Sequence, residues 1–305
     1  MVEFFVRLMY CLSMKLLNLQ NAFHAPIYHE EIVSSTFDTA RILAAQGTAH
    51  GTVIAADFQE AGRGRFRPES GSSRPWESEK GKNLMFTILL RCGDLSSLSP
   101  ALTLKTGLAV SMALEDLCPA LCGLVKVKWP NDVMIGPFKI AGILAEAGGN
   151  YVYIGVGVNV AQIEFPDDLR SKALSLIHAN PDLNEESRFI LLEKILCRLY
   201  NELEKTPGPF KAGSGSYSAA PCNTGPSNTA SWREPGFRGP ASWRERLIER
   251  LYKKNEPVIF SEGAADSHSS IEGILSGIGE GGEILIIPKG EKKELAFVTG
   301  ELKVY

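Results

Sequence analysis

Four short segments of this sequence place residue types that handle anions at close spacing. Ala61-Gly62-Arg63-Gly64-Arg65 interleaves glycine with arginine. Glycine lets a backbone approach a ligand closely, and the arginine fork suits carboxylate and phosphate. With Arg67 and Arg74 the loop carries four arginines against few acids. Taken alone it also reads as a solvated basic loop or an RNA-binding arginine–glycine segment. Lys128-Trp129-Pro130-Asn131-Asp132 ends a strand in proline and exposes Asn131 and Asp132 in a turn. Strand ends are where sites usually lie, although a plain Pro-Asn-Asp turn has the same residues. Lys139-Ile140-Ala141-Gly142-Ile143-Leu144-Ala145-Glu146 is an apolar strand with a lysine near its start. That ammonium is a point charge for a phosphate or carboxylate, or else it snorkels to water from a strand edge. Gly155-Val156-Gly157-Val158-Asn159 ends a strand in an amide that can hydrogen-bond a ligand. The plainer reading is a strand packed tightly under a helix.

Other chemistries are poorly served. Gly277-Ile278-Gly279-Glu280-Gly281-Gly282 fits a dinucleotide string, but a strand follows it where a helix is required, so it is expected to be a hairpin turn. There is no P-loop and no nucleophile elbow, and the five histidines (24, 29, 50, 178, 268) lie in no motif. The six cysteines form no CxxC pair. Cys118 and Cys122 have no third ligand at metal spacing, so thiols in a reducing cytosol are expected and no metal ligands are assigned.

The elements that must position these segments follow from pattern. Ser35-Thr36-Phe37-Asp38 is read as a capping box opening a helix through Gln46, closed by Gly47. Gly51 to Ala56 and Leu84 to Arg91 are strands, separated by a long polar loop from Gln59 to Asn83. Ser99-Pro100 opens a helix whose Leu104, Leu108 and Met112 share a face and which ends near Cys118. Strands at Val125 to Trp129, Lys139 to Ala147 and Tyr151 to Val158 follow, the last two forming a hairpin. Helices are expected at Ser187 to Lys205 and Ser242 to Tyr252. Five short strands from Val258 to Tyr305 read as a small barrel or sandwich.

Domain boundaries are placed as an N-terminal extension over residues 1–25, a catalytic domain over 26–205, a low-complexity insertion over 206–240, a helix completing the catalytic domain over 241–253, and a C-terminal barrel over 254–305. The insertion is rich in Gly, Pro, Ser and Asn and is expected to be disordered. It carries Ala230-Ser231-Trp232-Arg233-Glu234, repeated as Ala241-Ser242-Trp243-Arg244-Glu245. At 305 residues, 44% hydrophobic and 22% charged, the chain has the make-up of a water-soluble globular protein. A net charge of −3 gives no general attraction to nucleic acid or membrane. The first twenty-three residues are too interrupted by Arg7, Ser13 and Lys15 to span a bilayer, and Met14 is an alternative start.

Each segment is ambiguous alone, and their order is not. Ser35-Thr36, Gln59 with the Gly-Arg-Gly-Arg loop, Trp76 with Gly81-Lys82-Asn83-Leu84, Lys-Trp-Pro-Asn-Asp, Lys-Ile-Ala-Gly-Ile-Leu and Gly-Val-Gly-Val-Asn closely resemble, in this order, the biotin–protein ligase family. The resemblance covers Ile32 to Asn159 firmly and the tail more loosely. It implies an α/β (α+β) mixed-sheet catalytic domain with a small SH3-like C-terminal β-barrel. It implies biotin and ATP as substrates with Mg2+, biotinyl-5'-AMP as intermediate, and a lysine of a biotin carboxyl carrier protein as acceptor. Ser35, Thr36, Phe37, Gln59, Arg63, Gly64, Arg65, Lys139 and Gly142 would bind biotin. Arg63, Arg65, Trp76, Asn131 and Asn159 would meet the nucleotide, and Lys139, Arg63, Arg65 and Asp132 would be catalytic. The resemblance further implies a cytoplasmic protein, compatible with a homodimer, with no membrane and no nucleic acid as partner. Only about 30 residues precede the catalytic domain, too few for the DNA-binding domain of bifunctional members. Phe37 departs from the smaller or polar residue usual in the family, and the segment Phe66 to Pro75 is longer than usual. A lipoate or octanoate ligase or transferase shares the fold and is the nearest rival; a biotin-sensing or nucleic-acid-binding regulator is the second.

Overall fold

The computed structural model describes residues 14–67, 72–93, 101–203, 242–262 and 270–303. The reading of residues 206–240 as a disordered insertion falls outside them. The main unit is an eight-stranded mixed sheet in the order β1-β2-β3-β6-β10-β9-β8-β7. Its strands are β1 (Lys15–Leu16), β2 (Ile27–Val33), β3 (Val53–Gln59), β6 (Leu84–Arg91), β7 (Val125–Lys128), β8 (Asp132–Ile135), β9 (Phe138–Gly148) and β10 (Tyr151–Val158). Between β3 and β6 lies a separate hairpin, β4 (Arg63–Arg67) and β5 (Ser72–Pro75), so the segment expected to be one long loop is partly ordered as a ribbon. Only β2 and β3 are parallel; the other pairs are antiparallel.

The two faces of the sheet are used differently. Helices α2 (Ala101–Leu117) and α3 (Ser187–Leu203) cover one face and form the main core with Val53, Phe86, Ile88, Ile143, Ile154 and Val156. Alternation along β10 sends Ile154, Val156 and Val158 into that core and turns Gly155 and Gly157 to the opposite face. There α1 (Thr36–Ala45) packs Phe37, Ala40 and Leu43 against Ile54, Leu89 and Tyr153. The Ser35 side chain caps α1 by accepting the Phe37 N–H. The expected capping box is not formed: Asp38 instead faces Arg41 and Arg63.

Two other expectations change. Residues 14–25, read as an extension, belong to the main unit: Lys15 and Leu16 pair with β2, and Phe23 is buried in the core. Asn131 and Asp132, read as an exposed turn, are not exposed. Asp132 is the first residue of β8, and buried Asn131 donates its amide to the Ile143 carbonyl.

The C-terminal unit is a five-stranded antiparallel sheet in the order β14-β13-β12-β11-β15. Its strands are β11 (Pro257–Glu262), β12 (Ser270–Ile278), β13 (Ile284–Pro288), β14 (Leu295–Phe297) and β15 (Gly300–Lys303). The glycine string at 277–282 is the β12–β13 hairpin connection, as expected. The two units share a second core, in which Leu104, Leu108, Val127 and Trp129 meet Leu247, Leu251, Val258 and Phe260. Helix α4 (Trp243–Glu249) supplies Leu247 and carries a genuine capping box between Ser242 and Glu245. Its Arg246 clasps buried Glu202 of α3 through two bonds of 2.7 and 2.8 Å.

Candidate active site

Sheet register builds the floor. Lys128, Asp132, Gly142, Gly157 and Met85 are successive cross-strand neighbours over β7, β8, β9, β10 and β6. Gly142 and Gly157 face each other directly and leave a flat platform. The Trp76 indole lies on it: a Cβ on Gly157 would stand 2.5 Å from the ring and one on Gly142 3.1 Å. Trp76 Nε1 is buried and has no acceptor. One step along β10, Gly155 makes the same room for Phe37, whose ring would be 2.2 Å from an added Cβ. That contact gives the physical reason a bulky residue is tolerated at position 37.

The polar end of the floor is made where α1 begins. Gln59 Oε1 accepts from Thr36 N at 2.9 Å and from Thr36 Oγ1 at 3.0 Å, and Ser35 Oγ lies 3.5 Å away. Thr87 Oγ1 donates to Thr36 Oγ1 at 2.8 Å. The Gln59 NH2 is left facing the soft Met85 sulfur at 3.5 Å, a weak acceptor. At the other end, Lys139 Nζ is 2.7 Å from Asp132 Oδ1 and 5.8 Å from the Trp76 ring centroid. The structure therefore brings together Ser35, Thr36, Phe37, Gln59, Trp76, Asp132, Lys139 and Gly142 on one face of the main sheet.

The arginines of the Gly-Arg hairpin are held by protein carboxylates. Arg63 stacks over Phe37 at 5.3 Å and reaches Asp38 at 3.2 Å and Glu146 at 3.4 Å. Burial lowers its pKa, and the bonds and charges of Asp38 and Glu146 outweigh that to raise it. Arg65 points the other way, donating to the Gly300 carbonyl at 3.2 Å with Glu301 at 4.0 Å. The hairpin is thus pinned to the catalytic sheet by one arginine and to the C-terminal unit by the next, with Gly64 between them. Asn159 is buried and donates its amide to Leu174 O, so like Asn131 it braces backbone.

One charged group escaped the sequence reading. Lys128, in the Lys-Trp-Pro-Asn-Asp segment, lies among Asp132, Glu301, Lys139 and Arg65. Burial depresses its ammonium below the usual lysine range. Asp132 and Glu301 oppose that shift, and Lys139 and Arg65 add to it. The signal that finds it is alternation: Trp129 faces the second core, so Lys128 faces the groove.

Residues 30–159 match the model of the Biotin/lipoate A/B protein ligase family, and the chain carries a domain of that family. The bifunctional ligase/repressor BirA of Bacillus subtilis is 38% identical over 160 residues, 50% of this chain and 46% of that protein. The biotin–[acetyl-CoA-carboxylase] ligase of Mycobacterium tuberculosis is 34% identical over 185 residues, 57% of this chain and 62% of that one. The matches thus span about half to three-fifths of these relatives' length. A biotin protein ligase from Aquifex aeolicus, solved in complex with biotin and ATP, superposes with a TM-score of 0.63 at 26% identity, over 91% of this chain and 97% of that one.

Proposed function

We propose that this chain activates biotin with ATP as biotinyl-5'-AMP and transfers the biotinyl group to a lysine of a biotin carboxyl carrier protein or domain. The observation that carries the reading is the platform of paired glycines, Gly142 and Gly157, with a hydrogen-bonding end at Ser35, Thr36 and Gln59 and the Lys139 ammonium at the other. The fused ring system of biotin would take the place the Trp76 indole holds on this floor, with its urea carbonyl and N–H groups toward the amide–hydroxyl end and its carboxylate toward Lys139. Phe37 supplies an apolar wall, and the Gly64 backbone lets the hairpin come close over the ring. The family model, the biotin-ligase relatives and the biotin- and ATP-bound structural neighbour support this choice of ligands.

In the first step a carboxylate oxygen attacks the α-phosphorus, a new P–O bond forms, and pyrophosphate leaves with the electron pair of the broken bond. Lys139 balances the charge building at that centre, where fixed cations act most strongly. Trp76 covers the nucleotide, and Asn131 and Asn159 hold the strand ends against which it lies. In the second step the acceptor amine attacks the acyl carbon and AMP leaves. Arg63 and Arg65 keep the hairpin closed and water out in both steps. Mg2+ neutralises phosphate oxygens when bound with ATP. Asp132, which is paired with Lys139, is a carboxylate that would help hold such an ion beside the phosphates.

We further place the protein in the cytoplasm. No helix among the described residues is long and apolar enough to cross a membrane. The deciding experiment is biotin-dependent ATP–pyrophosphate exchange, with lipoate and octanoate as controls, followed by transfer to a carrier domain. Exchange driven by lipoate or octanoate and not by biotin would overturn the choice of acid.

A further inference from the structure

We propose that Lys128 is a second catalytic ammonium of the adenylation step, contacting the pyrophosphate that leaves, while Lys139 serves the carboxylate and the α-phosphate. The inference rests on the adenylation reading above and divides its charges by position.

Lys139 stands at the rim of the platform: its Nζ lies 3.0 Å from where a Cβ on Gly142 would be, and it faces the Trp76 ring. Lys128 is two strands farther out, across β8 from Gly142. At about 4.8 Å per strand, that is roughly 10 Å from the platform along the same face. A phosphorus under attack by a carboxylate at Lys139 has its leaving oxygen on the side opposite the attacking oxygen. A polyphosphate departing along the sheet face would reach Lys128 and Arg65.

The charges there are unequal. Arg65, Lys128 and Lys139 are three cations, and Asp132 and Glu301 are two carboxylates. Asp132 is already engaged by Lys139 at 2.7 Å, and Glu301 lies against Arg65 at 4.0 Å. Lys128, half-buried at a strand end with Asp132 across from it, forms no ion pair of its own among the described residues. Keeping a lone ammonium out of water is costly unless an anion meets it. As the α-phosphorus–oxygen bond breaks, the leaving group gains negative charge, and a fixed ammonium stabilises that developing charge.

The test separates the two half-reactions in the full chain. Lys128→Met is compared with wild type in biotin-dependent pyrophosphate exchange and in transfer from synthetic biotinyl-5'-AMP, which involves no pyrophosphate. Exchange is expected to fall on the order of a hundredfold, with a raised KM for pyrophosphate, and far more than transfer falls. Lys128→Arg keeps the charge and should recover much of the exchange. Equal losses in both half-reactions would mean that Lys128 only shapes the strand end, and unchanged exchange would also overturn the assignment. A second measurement does not depend on a folded variant. Lysine labelling of wild type, read by mass spectrometry with and without pyrophosphate, should show protection of Lys128, and no protection counts against it. Wild type that lacks exchange altogether would refute the proposed function instead.

Discussion

Asp132 Oδ1 lies 2.7 Å from Lys139 Nζ, and this one carboxylate sets where the ammonium points. Lys139→Ala is expected to lower biotin adenylation on the order of a hundredfold to a thousandfold while the folded spectrum stays unchanged. Asp132→Asn keeps the ammonium and loses its orienting partner, so its loss should be smaller. Pyrophosphate exchange with circular dichroism checks both, and near wild-type exchange in folded Lys139→Ala would remove Lys139 from the mechanism.

Arg63 is bound to Asp38 and Glu146, which makes it a clasp for the β4–β5 hairpin. Arg63→Ala should speed release of biotinyl-AMP and cost little stability, because partly exposed ion pairs contribute only about 0–1 kcal/mol. The double change Asp38→Asn with Glu146→Gln should reproduce the faster release. If the double variant releases the adenylate at the wild-type rate, Arg63 acts on the ligand directly.

Two glycines of β10 should respond differently to alanine. Gly157→Ala places a methyl 2.5 Å from the Trp76 ring on a loop-borne side chain, so it should displace the indole and raise the KM for ATP about tenfold or more. Gly155→Ala places one 2.2 Å from Phe37, a buried core ring, and should cost about 1–3 kcal/mol of stability. Steady-state kinetics and urea denaturation separate the two, and a stable Gly155→Ala would mean that α1 can shift.

Burial raises the Glu30 carboxyl above the ordinary glutamate range, and His29 opposes this. The folded state then holds a proton more tightly than the unfolded state. Stability from this group is present at low pH and is lost as pH rises through the folded pKa. Glu30→Gln should therefore raise the melting temperature at about pH 7 and change it little at about pH 4. A larger gain at the acidic pH would contradict the sign.

Glu202 is 2% exposed, and its two oxygens are held by Arg246. Arg246→Met takes the guanidinium from that buried carboxylate. The expected cost is about 2–3 kcal/mol, below that of a fully buried pair because Arg246 is partly exposed. The paired change with Glu202→Leu should recover most of it, and denaturant midpoints of the single and double variants decide.

The sequence was informative wherever a local pattern carries the structure. The limits of β6 and β10 follow from their apolar runs, the start of α1 from Ser35, and the turn at Gly277 to Gly282 from the strand after it. The platform was half visible: Gly142, Gly155 and Gly157 stood out, but their pairing is a matter of register between strands. Strand β8 was missed because four residues after a proline carry too little periodicity to distinguish a strand from a turn. The arginine partners lie far off in sequence, 83 residues for Arg63 and Glu146 and 235 for Arg65 and Gly300, beyond any local pattern. Asn131 and Asn159 look like ligand groups by type, and in the fold each donates an amide N–H to a backbone carbonyl.

Trp129 is 1% exposed, donates Nε1–H to Gly282 O at 3.0 Å and meets Phe260 edge-on at 5.8 Å, so this motif residue belongs to the core of the C-terminal unit. Its neighbour Lys128 turns to the groove. Only one peptide unit therefore separates the packing of the C-terminal sheet from the side chain of Lys128. The two units also share one of their cores, since removing the C-terminal unit uncovers Leu104, Leu108 and Trp129 of the main unit. Calorimetry of the intact chain should record one cooperative transition, with ligand bound at the groove raising the melting temperature of both units together.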